Sequence, residues 1–438
     1  MRIQAPVKWP ASLWASVTAP SPAWPQLQGE IAADVVVIGA GFSGLSTALH
    51  LAKAGVSVAV LEAAEPGWGA SGRNNGQVIP TLTRPDPEQI LARHGQAGER
   101  FVHLVRDCAD ILFALVRAEG IEAEAEQNGW IQPVHSPGRI KIAERRVRQW
   151  GAVGAPVEML SAQQVRERTG SDAWYGGWWN RSGGHVNPLA LARGLALAAQ
   201  RAGAQIFARS PVCGFVREPQ GGSARWVART DHGQVRAGAL VLATHAYTGE
   251  FRSQLAPDIA HEVVPVLSWQ MATAPIDDQA RRSIIPGREA VSDTHGDLHF
   301  MRYDARNRLV TGGALVNPRN GAQKLRKRIG ARLERLFPQI GQVQFDYVWN
   351  GYLGMTTDFF PRVHQLGPDA YAWAGCNGRA VGLSVALGRE LAAAVRGVPH
   401  QDLALPFTEP APIPLHGLVR KIAPLRLLQY RYNDAREI

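Results

Sequence analysis

Residues 34–44 read Asp-Val-Val-Val-Ile-Gly-Ala-Gly-Phe-Ser-Gly, and this stretch decides the fold. The run Val35, Val36, Val37, Ile38 is apolar and β-branched without alternation, the pattern of a strand buried on both faces of a parallel sheet. Glycines 39, 41 and 44 follow in the spacing GxGxxG. From Ser43 to Ala54 the apolar residues Leu45, Ala48, Leu49 and Ala52 recur at helical spacing, Gly55 stops the helix, and residues 56–61 make a second buried strand. A strand, turn, helix and strand in about 30 residues is the context in which GxGxxG marks a dinucleotide-binding turn. Gly39 permits the tight turn, Gly41 lets the backbone approach a pyrophosphate, and Gly44 lets the helix pack on the strand. Phe42 and Ser43 complete that first turn, whose amides face the anion. Glu62, 18 residues beyond Gly44, ends the second strand where an acid accepts hydrogen bonds from ribose hydroxyls and disfavours a 2′-phosphate.

Around this unit the composition is that of a folded chain. Its 438 residues predict more than one domain, and 45% apolar against 19% charged residues argues against disorder. The 47 Lys+Arg against 37 Asp+Glu give +10, but the surplus is diffuse. Only Arg145, Arg146, Arg148 and Lys324, Arg326, Lys327, Arg328 cluster, at the spacing of a solvated helix face, so no nucleic-acid function is expected. Cys108, Cys213 and Cys376 fit neither a disulfide framework nor a zinc site, and histidines 185, 245, 295 and 299 have no metal-binding spacing, so no metal is expected. The longest apolar stretch, residues 35–61, is interrupted by His50 and Lys53 and does not read as a membrane span. The N-terminus runs into a Pro/Trp-rich segment without a signal-peptide core, so a cytoplasmic location is expected.

Further along, residues 67–76 have the Gly/Ser/Asn composition of a loop, 88–118 a long helical pattern, and Ser161 with Gln164 a capping box. Trp174, Trp178 and Trp179 mark an aromatic strand, and Pro188 opens a helix that ends near Gly203. Short strands are predicted at 205–207, 212–217 and 224–230, and a third buried strand at 239–243. A strand at 371–374, a glycine turn and a helix over 381–396 follow.

A GxGxxG alone does not separate NAD from FAD, because both present the same ADP half. Three further segments do: Gly69-Ala70-Ser71-Gly72-Arg73-Asn74-Asn75-Gly76-Gln77, Val241-Leu242-Ala243-Thr244 and Gly375-Cys376-Asn377-Gly378-Arg379. With them the chain, over about residues 12–400, resembles the FAD-dependent amino acid and amine oxidoreductases that include D-amino acid oxidase, glycine oxidase and sarcosine oxidase. It is most similar to their gamma-glutamylputrescine oxidase branch.

The resemblance implies an α/β fold, with an FAD-binding Rossmann-like domain and an inserted α+β substrate domain of antiparallel sheet and helices. The expected FAD-binding domain is discontinuous (31–83, 185–255 and 351–400), and the substrate domain takes 84–184 and 256–350. An N-terminal Pro/Trp-rich tail (1–30) and a C-terminal basic tail (401–438) flank them. Ala70, Ser71, Arg73, Asn74 and Gln77 are placed on the pyrophosphate and flavin side, while Asn75, in place of the branch's glycine, narrows the space beside the isoalloxazine ring. Val212 matches the strand residue whose backbone receives the adenine. Ala243 and Thr244 match an Ala-Thr-Gly strand end, with His245 in the third place.

Gly375, Asn377, Gly378 and Arg379 end a strand and open a helix, so their amides are expected to face electron-rich atoms of the flavin. Arg379 either adds positive charge there or caps the turn. Relatives similar to sarcosine oxidase carry a lysine four residues beyond this turn, where Gly382 stands here, so no oxygen-activating lysine is expected at that position. They also bind FAD through a cysteine in the preceding strand, and residues 349–358 contain none, so FAD is expected to be non-covalent.

Glycine oxidase-like proteins place a carboxylate-gripping arginine five residues before the aspartate that matches Asp358, and here that position is Leu353. Arg302 is the alternative grip, or else a strand residue facing solvent. Tyr303, Trp349 and Tyr352 are the other candidates for the substrate pocket, with core packing the rival role for Trp349. The expected function is oxidation of the C–N bond of a primary or secondary amine to an imine, with oxygen as acceptor giving hydrogen peroxide. The alternatives are an amino acid dehydrogenase, such as one for D-amino acids, that passes electrons to a quinone or carrier, and a catalytically idle flavoprotein or docking module. Arg420, Lys421, Arg426, Arg431 and Arg436 among Leu and Tyr make a weak membrane-surface contact through the C-terminal tail one further expectation.

Overall fold

Two eight-stranded sheets and a short two-stranded one account for the strands among the described residues. The computed structural model describes residues 8–220, 223–251, 255–297 and 299–437, so the first seven residues of the expected N-terminal tail lie outside it. In the first sheet the strand Gly29–Ile38 is central, parallel to Val58–Leu61 on one side and to Gly233–Leu242 on the other. Gln205–Phe207 and Ala370–Ala374 extend it, again in parallel. Val35 and Val37 enter one core with Leu45, Leu49, Val60 and Leu387, whereas Val36 and Ile38 enter a second with Leu27, Ala59, Leu61 and Leu240. Burial on both faces is why the run carries no polar alternation.

The helices Phe42–Lys53, Pro188–Arg201 and Val381–Val395 contribute to the first of those cores. The long helix Pro87–Ala118 joins them and breaks its helical geometry at Gly95, with φ 54°. Asn187 caps the helix that Pro188 opens, and Ser161 with Gln164 forms the capping box.

The second sheet runs in the order Phe345–Met355, Val264–Thr273, Leu309–Ala314, Phe300–Tyr303, Ala290–Ser292, Trp130–Pro133, Gly176–Asn180, Val157–Ser161. It is antiparallel except where Ala290 and Val291 run parallel to Trp130 and Ile131. No described helix is long and apolar enough to cross a membrane.

Both ends of the chain depart from their expected character as tails. The N-terminal segment forms a short helix, Leu13–Val17, and buries Leu13, Trp14, Trp24 and Leu27. Proline-rich composition predicts irregular backbone, but the side chains it carries are large enough to be core. At the other end, the helices His416–Ile422 and Arg426–Arg436 close over the cavity described below.

The glycine turn is enforced by contact distances. Gly39 has φ +105°, and a Cβ on Gly44 would stand 2.0 Å from the Gly39 carbonyl oxygen. Gly44→Ala is therefore expected to cost about 1–3 kcal/mol of stability through overpacking, read as a lower denaturant midpoint. Gly214→Ala, where a Cβ meets nothing within 4 Å, should leave it unchanged in the same measurement.

Candidate functional site

A cavity of about 1150 Å³ lies between the two sheets' loops and strands. One wall is made by loops leaving the carboxyl ends of the parallel strands, with Gly41, Phe42, Ser43, Ala243, His245 and Asn377. The opposite wall comes from the paired strands Val264–Thr273 and Phe345–Met355. Open α/β sheets place ligands at these strand ends, and the volume exceeds the roughly 300–1,000 Å³ of ordinary small-molecule pockets.

The loop 70–77 forms the floor, and its backbone is fastened from three distant places. Trp349 Nε1 donates to the Arg73 carbonyl (2.8 Å), Trp14 Nε1 to that of Asn74 (2.8 Å) and Arg302 Nε to that of Asn75 (2.7 Å). Trp14 and Trp349 also meet edge to face at 6.1 Å, and the Arg302 guanidinium stands 4.6 Å from the Trp14 ring centre. Within the loop, Asn74 Nδ2 donates to the carbonyls of Ala70 and Ser71, Gly76 N–H donates to Asn74 Oδ1, and Gln77 N–H donates to Asn75 Oδ1. Ser71 Oγ accepts from Phe42 N–H at 3.0 Å, joining the loop to the helix N-terminus.

These contacts correct three of the four pocket assignments. Arg302 is fully buried and outside the cavity lining, and its Nη1 and Nη2 donate to the carbonyls of Tyr303 and Val186, so all three of its nitrogens are turned to backbone and away from a substrate carboxylate. Burial depresses its pKa to about 10, and it holds backbone rather than ligand. Tyr303 is fully buried in the core of the second sheet and donates to the Ile284 carbonyl. Trp349 packs with Leu13, Trp14 and Leu189, away from the cavity lining. Tyr352 lines the cavity, and so does Leu353.

Of the residues assigned to the cofactor, Gly41, Phe42, Ser43, Ala70, Ser71, Arg73, Asn74, Asn75 and Gln77 line the cavity. Ala243, Asn377, Gly378 and Arg379 line it as well. Gly39, Gly44 and Gly375 shape turns behind the lining, and Thr244 Oγ1 pairs with Thr248 Oγ1 at 2.8 Å. Glu62 accepts from Ala40 N–H (2.8 Å) and Ala64 N–H (2.9 Å), with burial pushing its pKa up against those bonds. Val212 begins a strand two residues after Ser210, whose N–H donates to the Glu62 carbonyl, so the two residues expected at the ribose and adenine sit near each other, outside the cavity lining.

The turn 375–379 rests on a residue that sequence reasoning treated as a local detail. His245 has φ +47°, which explains why the family pattern has glycine there, and its Nε2 accepts the Cys376 backbone N–H at 2.8 Å. That bond requires a neutral ring, and burial lowers the His245 pKa to about 4. Asn377 completes the turn by accepting Thr356 N–H on Oδ1 and donating to the Gly375 carbonyl. Arg379 caps nothing in its own turn: its Nη1 reaches Thr81 Oγ1 (2.7 Å) and the Leu82 carbonyl (3.1 Å). A Cβ on Gly382 would stand 3.0–3.2 Å from Cys108, so in this chain position 382 packs against the long helix.

Sequence reasoning also missed the cap. Val419, Ile422, Leu427 and Tyr430 from the C-terminal helices line the cavity mouth, where Arg84 stands 4.3 Å from the Phe359 ring centre and 5.3 Å from that of Tyr430. Their only sequence signal was apolar residues among basic ones. Asp293, His295 and His299 also come together near the mouth, with Asp293 Oδ2 at 2.8 and 3.3 Å from the two Nδ1 atoms. The two rings stack 4.0 Å apart and the three groups bring ligand atoms within 4.8 Å of one another, a grouping compatible with a metal ion that the spacing of the histidines in sequence does not announce.

The cavity suits a flavin dinucleotide on one direct observation. Arg73 Nη2, Gln77 Oε1 and Gln270 Oε1 belong to residues lining it and are buried without a partner, so a donor-and-acceptor-rich ligand would satisfy them. Trp14→Phe should keep the packing but orphan the Asn74 carbonyl, costing about 1–3 kcal/mol. The expected result is a lower Tm and less flavin retained through gel filtration. For His245, an unfolded histidine titrates near pH 6.5, so its contribution is complete above that pH and is lost as pH falls toward about 4. His245→Asn should flatten the acid limb of Tm against pH.

A family model described as FAD dependent oxidoreductase matches residues 34–394. The chain is 31% identical over 373 residues to gamma-glutamylputrescine oxidoreductase of Escherichia coli K12, covering 85% of each. Among solved structures, glycine oxidase from Geobacillus kaustophilus superposes with TM-score 0.68 at 22% identity, covering 83% of this chain and 95% of that one. L-proline dehydrogenase from P. horikoshii gives TM-score 0.70 at 18% identity, covering 87% and 98%, and these two likenesses bear on the fold alone. The chain therefore belongs to the FAD-dependent oxidoreductases related to amine and amino acid oxidases, and its cofactor is FAD.

Proposed function

We propose that the protein oxidises the C–N single bond of a primary or secondary amine carried on a longer chain whose far end bears a carboxylate, of the gamma-glutamylputrescine kind, with oxygen as acceptor giving hydrogen peroxide. The observation that carries this reading is Leu353 in the cavity wall, beside Val266 and Tyr352, while Arg302 stands outside the lining with each of its three nitrogens donating to a backbone carbonyl. An apolar wall excludes water and gives an α-carboxylate no partner. At the mouth, Arg84 and Arg426 pair with no carboxylate among the described residues, which suits an anionic far end of the substrate.

FAD, bound without a covalent bond, supplies the hydride acceptor. The chain's own task is to hold an uncharged amine in line and dry. Val264, Val266, Leu353 and Met355 provide the apolar surface, and His245 keeps the 375–379 turn in place. Water then hydrolyses the imine. A second reading passes the electrons to a quinone or carrier, and the apolar outer surface of the cap favours it.

The test is anaerobic bleaching of flavin absorbance with a substrate panel. A buried arginine–carboxylate contact contributes about 2–5 kcal/mol, so glycine, alanine and sarcosine should reduce the flavin at least roughly 30-fold less effectively than a gamma-glutamyl amine. The rate should rise toward alkaline pH as the substrate ammonium loses its proton. Leu353→Arg should shift preference toward α-amino acids. A short amino acid that outpaces every amine would sink the reading, and oxygen consumption by the reduced protein separates the two acceptors.

A further inference from the structure

The two C-terminal helices face the cavity with one side and solvent with the other. On the inner side, Arg420 pairs with Glu250 (2.7 Å), Arg431 with Asp297 (2.8 Å), and Asp434 accepts Gly296 N–H (2.9 Å). Glu437 pairs with Arg139. The cap's acids and two of its arginines are thereby turned inward.

The outer side is of a different kind. From the N-cap of each helix, apolar residues recur at i, i+3 and i+7: Leu415, Leu418 and Ile422, then Leu425, Leu428 and Tyr432, with half-exposed Ile422 at the edge where this side meets the cavity mouth. They are 77, 55, 49, 52, 54 and 58% exposed, and are six of the eleven large apolar side chains exposed among the described residues. That concentration within residues 415–432 is not the scattered apolar exposure of an ordinary surface. Lys421 and Arg436 are exposed on the same two helices.

We propose that this outer face docks on the surface of an anionic lipid bilayer. An amphipathic segment with leucines on the buried side, cations beside them and tyrosine at the polar boundary has the composition of an interfacial helix. Charge decides between a bilayer and a second copy of the chain. A two-fold contact would set Lys421 and Arg436 against the same cations of the partner, and the whole chain carries +10. Anionic head groups satisfy the same residues and attract the chain at long range. Because the inner side of the same helices lines the cavity, docking would set the cavity mouth beside the head groups. The inference is independent of the substrate reading, since its test reads partition and not turnover.

The experiment is co-sedimentation of the flavin-loaded full chain with vesicles of phosphatidylcholine, with and without phosphatidylglycerol, at low and high salt. The expected result is at least roughly tenfold more protein pelleted by the anionic vesicles, reduced by salt. Leu418→Ser/Leu425→Ser/Leu428→Ser changes no residue that lines the cavity. It should keep its flavin spectrum and turnover in solution and lose the pelleting. Lys421→Glu/Arg436→Glu should lose the preference for anionic lipid. Failure of the unaltered chain to pellet with anionic vesicles overturns the proposal, as does undiminished pelleting of the triple variant. Light scattering that finds a dimer dissolved by the triple variant also overturns it, by assigning the face to a second copy.

Discussion

The floor of the cavity depends on three consecutive carbonyls, those of Arg73, Asn74 and Asn75, each receiving a hydrogen bond from a side chain far away in sequence. A loop of this composition has little of its own to hold a shape. Trp14 comes from before the first strand, Arg302 from the middle of the second sheet and Trp349 from its edge, so the loop is fixed only when both sheets and the N-terminal segment are assembled. Two tryptophans and an arginine suit the task because each reaches a carbonyl with its polar tip while its body fills space. Their bodies also touch one another, so the three fastenings act as one block.

What was legible in the sequence was local. The strand 34–38, the GxGxxG turn and the helix after it follow from periodicity and steric demand, and Gly39 and Gly44 have the crowding those demands imply. The capping box at Ser161 and the proline start at 188 are equally short-range. The direction of a side chain in a strand was not legible. Arg302, Tyr303 and Trp349 are aromatic or cationic residues near the right place, but whether each looks into a cavity or into a core depends on which layer covers that face. The layer here includes the N-terminal segment, whose proline content concealed its contribution to the core.

His245 shows the same limit at a smaller scale. As a departure from a glycine pattern it reads as a local change of geometry, and its backbone does take the positive φ that the pattern demands. Its side chain, however, supports the turn at Cys376, which follows 131 residues later. A glycine could meet the backbone demand and offer no such support, so in this chain the histidine links the ends of two neighbouring parallel strands. The missing signal was pairing between those strands, which composition does not carry.

The cap has a consequence for folding. Trp14 fastens the loop at the cavity floor, and residues between 419 and 434 line the same cavity. Segments about 400 positions apart must therefore both dock before the chamber has its walls, and contacts of such separation bring the largest loop-closure entropy. The ion pairs of Arg420 with Glu250 and of Arg431 with Asp297 tie one of those walls to the middle of the chain, so it takes its place only on a body whose two sheets are already built.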